Sequence, residues 1–151
     1  MFCLMTEFAE SLKDLMFEKK INKEQLAKTL KINRATVFAY FSDGYYPQID
    51  IAIKLSNYFD CSIDYLFGLT DVKTKEYDLD MSKVMQNFND NISSMLKSSE
   101  ISNAKAMRDM GMGEFTLYRW RRGMFPKTVT LIAVAKYFGV SVEYLLGHEC
   151  K

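Results

Sequence analysis

A chain of 151 residues, 48% of them apolar and 26% charged, has material for one ordinary domain or two very small ones, which excludes disorder as its main state. Twenty Lys and Arg against nineteen Asp and Glu give a formal net charge of +1, so bulk charge announces neither a nucleic-acid nor a membrane partner. No apolar stretch approaches the roughly 20 residues of a membrane span, and the opening residues Met1 to Glu7 lack the basic start of a secretory signal, so a cytoplasmic chain with no membrane contact is expected.

Leu12, Leu15, Met16 and Lys19 continue a three- and four-residue spacing begun at Phe8, which predicts a first amphipathic helix of about 13 residues. Asn22 is a good N-cap for a helix over 23–30, with Leu26, Ala27 and Leu30 on one face. Asn33 caps a third over 34–41, where Val37 and Tyr40 point inwards. Asp43, Gly44 and Pro47 close it and mark a loop. A fourth helix runs over 48–59 through Ile51, Leu55 and Phe59, and Ser62 caps a short fifth that ends at Gly68.

The pattern then starts again. Tyr58 to Gly68 and Tyr137 to Gly147 are identical or similar at every position except the pairs Asp60/Gly139 and Cys61/Val140. The same offset of about 79 sets Pro47 on Pro126, and one more residue sets Tyr40 on Trp120, Thr36 on Thr116, Ile21 on Ile101 and Phe8 on Phe88. Helices are expected over 88–95, 103–110 after Ser102, 114–122, 127–138 and 141–146. The chain therefore reads as all-α, with two tandem five-helix domains at 1–72 and 81–151 and a short polar linker at 73–80.

Two short helices about three residues apart, the second opened by its own cap, form a helix-turn-helix. The first helix lies across the DNA backbone, and the N-terminal turn of the second enters the major groove. Asn22 to Leu30, then Ile32 to Val37, Pro47 and Ser62 to Gly68 resemble the Cro/XRE family of lambda-repressor-like DNA-binding domains. The second copy resembles it through Phe115 to Gly123, Pro126 and Ser141 to Gly147. The resemblance implies phosphate contact at Lys23 and DNA contacts at Asn33, Arg34, Ala35, Thr36, Phe38 and Ala39. In the second copy it implies Asn103 and Lys105, then Glu114, Phe115, Thr116, Tyr118 and Arg119, with Arg121 and Arg122 at that helix's end. Gly111, Met112 and Gly113 replace the polar cap that the family places before its third helix, and Phe115 stands where it usually places a hydrogen-bonding side chain.

Charge is uneven. Residues 1–72 carry eight Lys and Arg against ten acids, the linker two against three, and residues 81–151 ten against six. Arg119, Arg121, Arg122 and Lys127 are the strongest candidate footprint for a polyanion. The expected function is a sequence-specific DNA-binding transcriptional regulator, a repressor, whose partner is double-stranded DNA. Because its two reading helices differ, its half-sites differ unless the chain forms a homodimer. The alternative is a protein-interaction module, motivated by Phe38, Tyr45 and Tyr46 in the first copy and Phe115, Tyr118, Met124 and Phe125 in the second.

No enzyme is expected. His148 reads as an exposed tail residue, with no nucleophile or carboxylate arranged around it. Cys3, Cys61 and Cys150 form no CxxC or Cys/His cluster and read as free thiols, so no metal site is expected. The glycines are too scattered for a phosphate-cradling loop, and no cofactor is expected. Tyr65, Leu66, Tyr144 and Leu145 read as core.

Overall fold

The computed structural model describes residues 6–75 and 78–147; Cys3, His148 and Cys150 lie outside the described residues. All regular structure among the described residues is α-helical, and the chain divides into two compact units between Asp78 and Leu79. The first holds α1 (Glu7–Lys19), α2 (Lys23–Leu30), α3 (Arg34–Ser42), α4 (Ile49–Phe59) and α5 (Ile63–Leu66). The second holds α6 (Val84–Ser99), α7 (Asn103–Asp109), α8 (Thr116–Arg121), α9 (Thr128–Phe138) and α10 (Val142–Leu145).

Side-chain caps begin most of these helices. Thr6 Oγ1 accepts from Ala9 N at 3.0 Å, and Asn22 and Gln25 exchange side-chain to backbone bonds of 2.8 and 2.9 Å in a capping box. Ser62, Ser102 and Ser141 each accept from the backbone N–H three residues on. The helices end on left-handed residues at repeat-equivalent places: Lys20 and Glu100, Lys31 and Gly111, Asp60 and Gly139. In the second copy two of these three places carry glycine, the residue that takes positive φ without steric cost.

Each core is built around one phenylalanine of its first helix. Phe8 is fully buried and meets Tyr40 edge-on at 5.2 Å between ring centroids, with Tyr46 and Phe67 at 6.1 and 6.2 Å. Phe88 is fully buried and meets Trp120 edge-on at 5.1 Å, with Phe125 at 5.7 Å. Tyr46 and Phe125 are therefore half-buried against the cores rather than fully exposed on the partner faces expected for them, because each turns back from its loop onto the first helix. Burial, with the Asp50 carboxylate adding to it, pushes the Tyr40 hydroxyl up to about 12. That hydroxyl is buried without a hydrogen-bond partner among the described residues. In the second unit Asn91 Nδ2 donates to the carbonyls of Tyr144 and Leu145 at 2.7 and 3.3 Å, tying α10 to α6.

The first residues of the expected linker pack on the first unit. Ser62 N donates to Lys73 O at 2.9 Å, Ser62 Oγ donates to Val72 O at 3.3 Å, and Lys73 pairs with Glu18. The Lys75 side chain is only 3% exposed; its ammonium donates to Asn57 Oδ1 at 2.6 Å and pairs with Asp78 at 2.8 Å. The side chains of Ser56 and Asn57 in α4's last turn and the backbone N–H of Ser62 at the open start of α5 draw the chain down.

Gly68 closes α5 at φ +75°, and a Cβ there would lie 2.6 Å from Glu7 Cβ on α1. Gly68→Ala is expected to cost about 2–4 kcal/mol, since left-handed strain and a clash with an atom fixed to the backbone act together. Urea denaturation followed by circular dichroism measures it, and a loss below about 0.5 kcal/mol would contradict this packing of α5 on α1.

Candidate nucleic-acid interface

In the first unit α2 ends at Lys31, whose left-handed backbone (φ 56°) lets Ile32 N reach Ala27 O at 2.9 Å. Asn33 then caps α3, its Oδ1 accepting from Ala35 N at 2.8 Å. The turn between the two helices is thus Lys31, Ile32 and Asn33. Val37 and Tyr40 anchor α3 in the core, which leaves Asn33, Arg34 and Ala35 exposed at its N-terminal end. Thr36, Phe38 and Ala39 are half-buried beside them.

Arg34 and Phe38 form one cluster with Lys23, Glu24 and Phe41. Glu24 Oε1, on α2, accepts from Arg34 Nη2 at 2.8 Å and from Arg34 Nε at 3.2 Å. The Arg34 guanidinium lies 4.7 Å from the Phe38 ring centroid, and the Lys23 ammonium lies 5.1 Å from Phe38 and 4.5 Å from Phe41. Sequence reading singled out Lys23, Arg34 and Phe38 but passed over Glu24 and Phe41. Their only signal is an opposite charge at the start of α2 and a ring near the end of α3.

The second unit differs where its sequence does. Met112 N bonds Met107 O at 2.8 Å around Gly111, and Gly113 O accepts from Thr116 N at 3.1 Å. Glu114 and Phe115 form a turn rather than helix, Phe115 is the N-cap without a side-chain cap bond, and α8 keeps only six residues. The expected helix over 114–122 is shortened because no side chain in Gly111-Met112-Gly113 can cap its first turn. Leu117 and Trp120 are buried, whereas Phe115, Tyr118, Arg119, Arg121 and Arg122 are exposed and Thr116 is half-buried. Arg122 lies 5.5 Å from the Tyr118 ring centroid. Among the described residues no carboxylate pairs with Arg119, Arg121 or Arg122.

Asn103 and Lys105 are exposed on α7. Lys105 pairs with Asp109 at 2.7 Å, and Tyr137 donates to the same oxygen at 2.7 Å. The hydrogen bond from Lys105, then that from Tyr137, holds the Asp109 carboxyl below its ordinary range, and the same Asp109 contact raises Lys105. The Lys105 ammonium is thus committed to Asp109.

No helix among the described residues is long and apolar enough to cross a membrane. The helix-turn-helix family model matches residues 12–66, ending before the second unit begins. Over 64 residues the chain is 31% identical to a Bacillus subtilis (strain 168) protein described as the uncharacterized HTH-type transcriptional regulator YobD. That similarity covers 42% of this chain and 57% of the relative, so the chain spans little more than half of that protein's length. No solved structure matches. Residues 12–66, which contain α2, its three-residue turn and α3, therefore carry a helix-turn-helix domain.

Proposed function

We propose that this chain is a sequence-specific DNA-binding transcriptional regulator, acting as a repressor, that reads two half-sites with two tandem helix-turn-helix domains. The observation that carries this reading is the α2–turn–α3 unit inside residues 12–66, with Asn33, Arg34 and Ala35 exposed where a reading helix meets base edges. The second unit is the other reader. Its support is the repeated helix order, the equivalent Phe88–Trp120 contact and the exposed arginines of α8. With both readers on one chain, the second contact is effectively intramolecular. Since Arg34 and Ala35 of the first copy stand where the second copy has Glu114 and Phe115, the two half-sites differ in sequence unless the chain forms a homodimer.

Fluorescence anisotropy of the whole chain on mixed-sequence duplex DNA, at several salt concentrations, tests this. The expected result is an affinity that falls steeply and linearly on logarithmic axes as salt rises. Absence of binding at low salt would overturn it and favour a second reading, recognition of a protein partner. That reading draws on the exposed Phe115, Tyr118 and Met124, which are 60%, 57% and 61% accessible.

A further inference from the structure

The exposed pair of Glu24 and Arg34 sits at the mouth of the proposed reading surface. An exposed ion pair is ordinarily worth little to a fold, and this one closes no core. Its geometry fits another role. One carboxylate oxygen takes both Nε and Nη2, so Glu24 covers one edge of the planar guanidinium while Phe38 lies against one face. The edge formed by Nη1 and the outward N–H of Nη2 is left over, and it is a two-donor fork of fixed direction.

We propose that Glu24 is a positioning residue for base recognition: it orients Arg34 so that the free edge of the guanidinium donates to O6 and N7 of one guanine in the major groove. This rests on the DNA-binding reading given above and adds a specificity to it. Two ligands offer paired acceptors for such a fork, a guanine edge and a phosphate, and the surrounding charge decides between them. A carboxylate bound to the arginine cancels the charge that attracts phosphate and repels the phosphate itself, whereas base recognition needs direction more than charge. Positive charge for the backbone is supplied separately by Lys23, held over Phe38 and Phe41. An arginine already held by Glu24 and Phe38 also loses less side-chain freedom on docking than a loose one.

Selection of binding sites from a random duplex library by the full-length chain tests this, with Glu24→Ala, Glu24→Gln and Arg34→Ala beside it. The parent chain is expected to enrich a guanine at one fixed position of the site. Arg34→Ala abolishes that preference. Glu24→Ala relaxes it about tenfold, within the range a bidentate arginine–guanine pair supplies, and raises affinity for mixed-sequence DNA because a negative charge leaves the surface. Glu24→Gln retains part of the preference, since its amide oxygen still accepts. Thermal melts confirm that each variant folds, as expected for side chains 67% and 64% exposed. A guanine preference undiminished in Glu24→Ala, or equal losses on selected and mixed DNA, overturns the role of Glu24 and leaves DNA binding intact. If the parent binds no duplex, the DNA-binding reading falls and takes this inference with it.

Discussion

Phe8→Ala is expected to cost the first unit about 3–5 kcal/mol and Phe88→Ala the second unit a similar amount, each leaving the other unit folded. Both rings are fully buried at the centre of an aromatic cluster, and neither cluster can close over the space that a lost ring leaves. A unit of this size holds only a few kcal/mol in total, so either change approaches its whole stability. The chain carries its own reporter, because its one tryptophan, Trp120, is buried against Phe88 in the second unit. In Phe8→Ala the far-ultraviolet circular dichroism should lose a large share of its helical signal at low urea, while the fluorescence transition of Trp120 stays in place. In Phe88→Ala the fluorescence transition should move instead. If Phe8→Ala shifts the Trp120 transition as far as the helical one, the two units unfold as a single cooperative body.

The internal repeat made much of this legible. Pairing Phe8 with Phe88 and Tyr40 with Trp120 in the sequence located both cores, since a position kept apolar in both copies marks the same site in a packed unit. Caps at Asn22, Asn33, Ser62 and Ser102 were readable because each cap needs one side chain at one local spacing. What escaped were contacts without a period. Tyr46 and Phe125 follow loops, where no helical spacing tells a ring in the core from a ring on the surface. Lys75 is polar and near the middle of a polar stretch, yet Ser56, Asn57 and Asp78, brought close by the fold, explain its burial. Glu24 and Arg34 are ten residues apart across a turn, a separation that no single helix brings together. Arg34 was found as a candidate alone, and its partner emerges only when the turn fixes α2 against α3.

Arg119→Ala combined with Arg122→Ala is expected to weaken DNA binding most at low salt. Both arginines are exposed at the end of α8, and among the described residues neither is drawn away by a carboxylate, unlike Arg34 or Lys105. If each neutralises one phosphate, removing both makes the slope of log affinity against log salt shallower by about 1.8. Between 50 and 200 mM salt, a fourfold range, the deficit of the variant then shrinks by about twelvefold. Leu117 and Trp120 hold α8 in the core from its other face, so the substitutions leave the fold unchanged, and the Trp120 fluorescence transition checks this directly. An equal deficit at every salt concentration would mean that the arginines act through shape or base contacts instead of phosphate. An unchanged affinity would leave α3 as the reader of DNA and give α8, with Phe115 and Tyr118 at its exposed end, to a protein partner.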